Sequence, residues 1–355
     1  MEGLFDLPVL GLLFQLVFYL VDVVTTNGAI ILALSAPIAL GALCGVMNER
    51  SGVVNIGIEG MMLMSAFFGW WACSIVGHAF PNGPETAVFG ITIPLLVGVA
   101  VALATGLVAS TVHAWLSVGV KVDQIISGTI INIVALGVTG YLALLLSRTS
   151  TPTGGKFVPF APPQALTDLP LVGWIFEMFL HQGPITMSVI FLVIMLQVIL
   201  FRSRWGLRTR AVGEHPKAAE TAGIDVIKLR YRNVILGGLF AGLAGAWFTL
   251  DFGSSFENNM TGGRGFIALA ALIFGRWHPV GAFGAALLFA ASGSLGIAIR
   301  TTPPPGQLGE ILSTIPPQVF SALPYVITII VLAGVVGRSI PPAAVGKPYE
   351  KESTA

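Results

Sequence analysis

The sequence carries little charge: Asp, Glu, Lys and Arg together make up 10% of its 355 residues. A soluble domain contains about 25% of such residues. Hydrophobic residues make up 55% of the chain. Because no soluble core absorbs so much apolar surface, the shortage of charge excludes a soluble globular protein and predicts an integral membrane protein.

Cysteine is also scarce. The two cysteines, Cys44 and Cys73, lie in apolar segments and show neither the spacing of a zinc site nor the pattern of a disulfide framework. The five histidines are scattered along the chain, and no HExxH motif is present. We therefore expect no metal site and no catalytic residues.

A phosphate-binding loop is missing as well. The two Gly-Lys pairs, at 155–156 and 346–347, lack both the upstream glycine and the Ser or Thr that follows the lysine in such loops. The chain is therefore expected to bind no ATP or other cofactor and not to be an enzyme.

Apolar runs dominate what is present. A membrane-spanning helix needs roughly 20 apolar residues. The runs that meet this length are residues 28–48, 60–84, 89–120, 124–147, 185–201, 233–250, 280–299 and 311–337. Residues 7–21 form a shorter run that either spans the membrane or lies in its interface. Residues 265–275 are too few to cross, which fits a re-entrant or half-spanning helix that lines a cavity. The sequence thus predicts an all-α helical bundle with about ten transmembrane helices, or nine.

Basic residues are concentrated in one loop. Residues 202–232 hold eight of the eighteen Lys and Arg residues and carry a formal charge of +5, while the rest of the chain carries −4. Short loops rich in Lys and Arg remain on the cytoplasmic side. Counting spans from this loop predicts a cytoplasmic C-terminus and an external loop at residues 148–183. The whole chain, residues 1–355, is expected to form a single transmembrane domain.

Within this loop, residues 214–224 predict a short helix. Pro216 suits the first helical position, where its missing N–H is not needed. Gly223 suits the position after the helix, where the backbone is left-handed. So short a helix is unstable alone in water, so it requires packing or a partner. The alternative is a basic loop that only fixes the topology.

The stretch RTRAVGEHPKAAETAGI, residues 208–224, resembles the coupling-helix segment of permease subunits of ABC importers for simple sugars, nucleosides and branched-chain amino acids. Residues 48–69, 117–137 and 257–289 are similar to the nucleoside-type branch of that family. His215 stands where the family usually has Asn, and His is a poorer helix cap. The resemblance implies that these residues couple the chain to an ATPase: Gly213, Glu214, His215, Pro216, Ala218, Ala219 and Gly223.

The resemblance further implies a multi-pass permease subunit in the bacterial cytoplasmic (inner) membrane, forming the translocation pathway for nucleosides or related simple sugars. Its implied partners are a cytoplasmic ATPase that uses ATP and Mg, a second permease subunit (a sister chain or a second copy), and an external substrate-binding lipoprotein or periplasmic protein. Besides the lipid bilayer no other partner is implied, and nucleic acid is not among them. The alternative class is a secondary transporter of a small polar solute, driven by an ion gradient.

Polar and aromatic residues in or near the spans are the candidates for the substrate pathway: Asn55, Glu59, Gln124, Asn132, Phe248, Asn258, Arg264 and Phe266. Ionisable groups inside spans usually face the bundle interior, although Glu59 could instead pair with Arg50. The three amides either bind substrate hydroxyls or join helices. Phe248 and Phe266, with Phe252 and Phe256, either stack on a nucleobase or only pack. Residues 262–265 open the short helix, whose N-terminus is expected to point into the cavity.

Overall fold

The computed structural model describes residues 8–80, 85–86, 88–146, 155–170, 172–316, 319, 322–323, 326, 329 and 339–350, and these residues contain helices and no strand. Within this described part, seven helices are long and apolar enough to cross a membrane. The prediction of an all-α, multi-pass membrane bundle is therefore confirmed.

The helices are α1 (Pro8–Glu49), α2 (Ile58–Ala79), α3 (Ile93–Ala114), α4 (Gln124–Leu146), α5 (Gln164–Thr167), α6 (Gly173–Leu180), α7 (Pro184–Arg202), α8 (Arg204–Glu214), α9 (Pro216–Thr221), α10 (Val226–Ala246), α11 (Arg264–Phe274), α12 (Pro279–Thr301) and α13 (Gln307–Ser313). Two of them continue as π-helical turns, α3 through Trp115–Gly119 and α10 through Trp247–Phe252. The predicted short helix at 265–275 is present as α11, with 11 residues.

The first helix corrects one prediction. Residues 7–21 and 28–48 are not separate segments, because α1 runs without a break from Pro8 to Glu49. The polar residues between the two runs do not end the helix, since the Thr25 hydroxyl donates to the Val21 carbonyl within the helix, at 3.0 Å. The last predicted span, residues 311–337, lies mostly outside the described residues, so the total number of spans stays a prediction.

The tenth helix is longer than its apolar run. It begins at Val226, seven residues before the uncharged run at 233–250, and the apolar helix extends to Phe252. The start is fixed by Asp225, whose carboxylate accepts a hydrogen bond from the backbone N–H of Lys228 at 2.9 Å. Such a cap supplies an acceptor to an otherwise unpaired N–H group. The basic residues that precede the apolar run are therefore part of the helix.

The chain forms two compact units. The first comprises Met1–Ser35, Ala161–Gln182 and Leu287–Gly337. In its described part, Tyr19, Val23, Ala298 and Ile299 form a buried apolar cluster. The Tyr19 hydroxyl also donates to the Thr302 carbonyl at 3.0 Å.

The second unit comprises Ala36–Phe160, Gly183–Ala286 and Arg338–Ala355, and it contains every candidate site residue named above. At its centre α2, α3 and α10 pack backbone to backbone. A Cβ atom added to Gly106 would collide with the Gly238 carbonyl oxygen, and one added to Gly245 would collide with the Met62 carbonyl oxygen. Small residues allow helices in lipid to approach this closely.

Candidate functional site

The short helix α9 lies in the basic loop, between α8 and α10. It begins at Pro216 and ends at Thr221, shorter than the predicted residues 214–224. His215 precedes it and makes no side-chain cap, as expected for a histidine in place of Asn. Gly223 has φ +79°, the left-handed conformation that favours glycine after a helix.

One side of α9 packs against the rest of the protein. Ala219 is 4% exposed and lies in a cluster with Val212, Val226 and Tyr349. Ala219 therefore supports the helix from inside in this conformation, and its coupling to an ATPase stays a prediction. The exposed residues of the segment are Glu214, His215, Lys217, Ala218, Thr221, Ala222 and Gly223.

Gly213 is also an internal residue. A Cβ atom at this position would collide with the backbone carbonyl oxygen of Arg50, in the turn between α1 and α2. The Gly213 carbonyl in turn accepts a hydrogen bond from the N–H of Ala344, at 2.9 Å. Gly213 thus permits close contact between the end of α8 and two other backbone segments.

Residues 339–350, here called the C-terminal strap, fold back over this loop, a feature that sequence reasoning missed. The Ala343 N–H donates to the Glu214 carboxylate at 3.1 Å, and the Tyr349 hydroxyl bonds to the carboxylate of Glu220. The Gly346 N–H donates to the Gly52 carbonyl at 3.2 Å. These bonds hold α8, α9 and the α1–α2 turn together. No motif marks the strap, because its bonds come mostly from backbone groups.

Arg230 of α10 is buried beneath the strap, with 2% of its surface exposed. Its Nε donates to the Ser51 carbonyl at 3.0 Å and its Nη1 to the Lys347 carbonyl at 2.9 Å. The guanidinium also lies 6.0 Å from the centre of the Tyr349 ring. A buried arginine requires such acceptors, because an unpaired buried charge is costly. Arg230 therefore links α10, the α1–α2 turn and the strap.

An open cleft of about 950 Å³ lies between α9 and the strap. The lining residues are Glu214, His215, Pro216, Lys217, Ala218, Arg230, Ala343, Ala344, Lys347, Pro348, Tyr349 and Glu350. Four of the seven residues predicted to couple to an ATPase thus line this cleft: Glu214, His215, Pro216 and Ala218. Gly213 and Ala219 are buried, and Gly223 lies outside the lining.

The ring of Phe201, at the end of α7, contacts two guanidinium groups and one imidazole ring. The guanidinium groups of Arg50 and Arg210 lie 5.4 Å and 5.0 Å from its ring centre, and the His278 ring stacks on it at 4.4 Å. Burial, followed by the charges of Arg50 and Arg210, holds the pKa of His278 below its usual range. Arg50 Nε also donates to the Trp277 carbonyl at 2.8 Å. The cluster thus connects the basic loop to the turn that follows α11.

Glu59, the first acidic residue of α2, caps the short helix α11. Its carboxylate accepts hydrogen bonds from the N–H of Gly263 at 2.8 Å and from the N–H of Gly265 at 2.6 Å. The negative charge matches the positive end of the helix dipole. The alternative pairing of Glu59 with Arg50 is wrong, since the Arg50 guanidinium donates to backbone carbonyls of the α11–α12 turn.

The three candidate amides join backbone segments. Asn132 accepts from the Gly60 N–H at 2.8 Å and donates to the Ile56 carbonyl at 3.0 Å. The Gln124 side-chain oxygen accepts from the Val54 N–H at 2.7 Å. Asn55, which is fully buried, accepts from the Gly57 N–H at 3.0 Å. Of the two interpretations, the structure supports the helix-joining role for these amides in this conformation.

The phenylalanines near the end of α10 do not form one platform. Phe248 is buried and lies edge-on to Trp247, at 5.1 Å, while Phe252 stacks on the same indole at 4.8 Å. The guanidinium of Arg264 lies 5.4 Å from the Phe248 ring centre. Arg264 is half-buried, and its guanidinium donates to the Met260 and Thr261 carbonyls. Among the described residues, it forms no ion pair with a carboxylate.

Phe256 belongs to a different cluster. It lies edge-on to Phe67, at 5.1 Å, and 6.3 Å from the ring of Trp70, both on α2. Phe266 is 49% exposed and Asn258 is exposed. Of the candidates for the substrate pathway, Asn258 and Phe266 are therefore exposed, and Asn132 and Arg264 are half-buried in this conformation. The other four candidates are buried.

Sequence reasoning also missed the buried carboxylate of Asp251. It accepts hydrogen bonds from both the N–H and the hydroxyl of Thr186, at 3.1 Å and 2.9 Å, and so caps α7. The Trp247 indole donates to the same hydroxyl at 2.9 Å. The signal was an acidic residue at the end of one apolar run and a Gly-Pro pair at the start of another. Among the described residues no group of His, Cys, Asp and Glu could hold a metal ion.

Comparison with known proteins agrees with this architecture. Residues 27–332 match a family described as the permease component of branched-chain amino acid transport systems. The chain is 40% identical to the guanosine ABC transporter permease protein NupQ of Bacillus subtilis over 322 residues, 90% of this chain and 95% of the relative.

Two further relatives cover nearly the same length. The nucleoside ABC transporter permease protein NupC of Lactococcus lactis is 34% identical over 317 residues, 89% of this chain and 94% of the relative. The putative glucose ABC transporter permease protein TsgC13 of Haloferax volcanii is 34% identical over 328 residues, 88% and 94% of the two chains. No solved structure matches the chain.

Proposed function

The chain belongs to the family of permease components of branched-chain amino acid transport systems, and on that premise we propose that it is the permease subunit of an ABC importer for nucleosides. The observation that carries the proposal is identity of 40% and 34%, over almost the full length, to permeases named for guanosine and for nucleosides. No comparison supports the alternative of a secondary transporter driven by an ion gradient.

The substrate class is tested by uptake. The chain is expressed with its ATPase and its binding protein in cells without other nucleoside importers, and labelled guanosine, glucose and leucine are supplied separately. Uptake of guanosine alone is the expected result. Because one relative is named for glucose, glucose uptake without guanosine uptake would move the substrate class to simple sugars.

The basic loop is assigned to the cytoplasmic face, as the concentration of Lys and Arg predicts. Single cysteines replacing Arg204 and Ala165, which are both exposed, test this in a chain with Cys44→Ala and Cys73→Ala. A membrane-impermeant maleimide should label the cysteine at 165 in intact cells and the one at 204 only after the membrane is opened. Labelling of position 204 in intact cells would reverse the orientation.

The ATPase is assigned to the outer surface of α9 and the cleft beside it. This surface combines exposed residues of opposite charge, Glu214 and Lys217, with the small side chain of Ala218. The short helix is held at its base by Ala219 and by the C-terminal strap, so a force applied to α9 is transmitted to α8, α10 and the α1–α2 turn. ATP-driven closure of two ATPase subunits would then switch the bundle between outward-open and inward-open states.

Ala218→Arg tests this docking surface. A large charged side chain at an exposed helical position leaves the fold intact, but a charge buried without a partner at an interface costs several kcal/mol. We expect uptake to be lost while membrane abundance is unchanged. The matched control is Ala165→Arg, the same substitution on another short exposed helix. Equal uptake by both variants would remove the docking role of α9.

The remaining partners follow from the same assignment. An external binding lipoprotein or periplasmic protein delivers the nucleoside on the face opposite the basic loop, and a second permease subunit completes the pathway in the cytoplasmic membrane. For the pathway itself we infer that Asn258, Arg264 and Phe266 contact substrate, because their side chains are exposed or half-exposed. Asn132 is also half-exposed, but its amide is already bonded to the backbone of Gly60 and Ile56. Phe266→Ala should raise the KM for guanosine uptake more than the kcat changes, whereas an unchanged KM would place the substrate elsewhere.

A further inference from the structure

A second groove, here called the interfacial groove, lies at the C-terminal end of α9. The cleft between α9 and the C-terminal strap lies at the N-terminal end of the same helix. Its volume is about 600 Å³, and it is formed by α8, the loop after α9 and the start of α10. The floor is apolar, with Leu207, Ala211, Ile224 and Leu229. The rim carries three cationic side chains, those of Arg208, Lys228 and Arg232.

Within the described part of the chain, the cationic rim has no ion-pair partner. Among the described residues, no ion pair within 4.0 Å involves Arg208, Lys228 or Arg232. The one acidic residue of the groove, Asp225, uses its carboxylate to cap α10. The groove therefore combines excess positive charge with an apolar floor, which suits an anion that carries a hydrocarbon chain.

The groove lies at the level of the membrane interface. The apolar helix Val226–Phe252 has 27 residues, about 40 Å at 1.5 Å per residue, whereas the hydrocarbon layer is about 30 Å thick. The extra length of the helix projects from the membrane at its basic N-terminal end. Arg232 therefore lies at the edge of the hydrocarbon layer and Lys228 about one turn outside it. The Arg232 guanidinium lies 4.8 Å from the Trp205 ring centre, and tryptophan is typical of this layer.

The apolar part of the groove faces outward at the same level. Leu207 is 61% exposed, and it follows by five residues the end of the membrane-spanning helix α7 at Arg202. Leu207 lies on the outer face of α8, since Gly206 and Thr209 on the opposite face are buried. An exposed leucine beside basic residues is expected where a helix lies in the interface and contacts acyl chains.

We propose that the interfacial groove binds an anionic phospholipid of the adjacent leaflet. The phosphate head group is held by Arg208, Lys228 and Arg232, and one acyl chain lies against Leu207 and Leu229. Basic pockets at this level attract anionic lipids by charge, and the apolar floor adds burial of hydrocarbon. The bound lipid would brace α8 and α10 next to α9, so leaflet composition would affect the stability of the coupling segment.

The charge requirement is tested by native mass spectrometry of the purified chain with dioleoyl-phosphatidylglycerol or dioleoyl-phosphatidylcholine. The wild-type chain should bind the anionic lipid at least tenfold more tightly. Lys228→Gln/Arg232→Gln should weaken this binding roughly 30-fold, since each cation near the surface contributes about a fivefold factor. The control Arg202→Gln/Arg204→Gln removes the same charge from exposed positions outside the groove and should weaken binding less than threefold.

Equal binding of the two lipids, or an equal loss in the two double variants, would overturn the proposal. A third arm adds glycerol 3-phosphate, which has the phosphate but no acyl chain. It should not displace the lipid at millimolar concentration. Displacement would show that the groove holds free phosphate compounds rather than a lipid.

The occupant is tested without removing any cation. Leu207→Cys, labelled with bimane in nanodiscs, should be quenched by doxyl-labelled phosphatidylglycerol at least threefold more than by the phosphatidylcholine analogue. Adding the ATPase should leave this quenching unchanged. If the ATPase abolishes it, or if neither lipid quenches the label, the groove is a protein interface and the lipid assignment is wrong.

Discussion

The carboxylate of Glu59 accepts a hydrogen bond from the backbone N–H of Gly265 at 2.6 Å, although 206 residues separate them in the chain. Glu59 begins the membrane-spanning helix α2, and Gly265 lies in the first turn of the short helix α11. The bond is close because Gly265 has no side chain, since a Cβ atom there would lie 2.6 Å from the Glu59 Cα atom. The start of the short helix is thereby fixed to the neighbouring span.

Replacing Glu59 tests this cap. Glu59→Ala leaves the N–H groups of Gly263 and Gly265 without an acceptor in a nearly buried site, and hydrogen bonds to a charged group contribute about 1.5–3 kcal/mol each. Glu59→Gln retains one acceptor oxygen and should be milder. Thermal unfolding of the purified protein should rank stability as wild type, then Gln, then Ala. Asn258→Ala, at an exposed position, should stay within about 0.5 kcal/mol of wild type. Equal thermal stability of wild type and Glu59→Ala would contradict the capping role of Glu59.

Two glycines near α9 should respond differently to the same change. Gly213→Ala forces a Cβ atom against the Arg50 carbonyl, and such overpacking typically costs about 1–3 kcal/mol. A Cβ atom at Gly223 meets nothing within 4 Å. Gly223→Ala therefore loses only the free energy needed to hold alanine in the left-handed conformation, about 1–2 kcal/mol. Both alanine variants should therefore lower uptake. Uptake should recover with Gly223→Asn, because asparagine tolerates the left-handed conformation, but not with Gly213→Asn. Recovery at both positions would exclude the steric explanation for Gly213.

The C-terminal strap depends on the fork of donors on Arg230. Arg230→Lys keeps the charge but cannot reach both the Ser51 and Lys347 carbonyls with a fixed planar group. We expect faster hydrogen exchange of backbone amides in the strap and in α9, measured by mass spectrometry, together with lower uptake. Lys228→Arg, on an exposed side chain of the same helix, serves as control. Unchanged exchange in the strap would show that Arg230 does not hold it.

The His278 ring predicts a component of pH dependence. Its pKa is lowered by burial and by the charges of Arg50 and Arg210, so the native state binds fewer protons than the unfolded state. Stability therefore rises with pH, and this contribution is lost as pH falls below the ordinary value of 6.5. His278→Phe keeps the stacking on Phe201 but cannot be protonated. Its melting temperature between pH 7.5 and 5 should fall less than that of wild type, and parallel curves would contradict the assignment.

We expect the purified chain alone to hydrolyse no ATP, because its sequence contains no phosphate-binding loop and ATP hydrolysis is assigned to a separate ATPase subunit. Hydrolysis is expected only with the ATPase partner, and it should respond to the loaded binding protein. A phosphate-release assay measures both. Turnover by the isolated chain, retained after repeated purification, would contradict the proposed assignment.

The amino-acid sequence by itself determined the membrane class, the family and the positions of most spans. Apolar runs of 17 to 32 residues cross a bilayer as helices. Lipid offers no hydrogen-bond partners, so the backbone N–H and C=O groups of such a run must bond to each other. The short helix α11 was also predictable, because an 11-residue apolar run does not cross the hydrocarbon layer. The resemblance to the permease family is confirmed, since its motifs are local and continuous in the chain.

Only the tertiary structure decided what the polar residues do. The roles of Glu59, Asn132 and Gln124 depend on backbone groups about 70 to 200 residues away, and a single sequence does not report such distances. The same holds for Ala219, whose small side chain suits an interface with another protein or a site of internal packing. The strap was hidden because its hydrogen bonds come mainly from backbone atoms, which every residue carries. Local pattern fixes elements in a membrane, whereas long-range packing assigns each polar group its acceptor or donor.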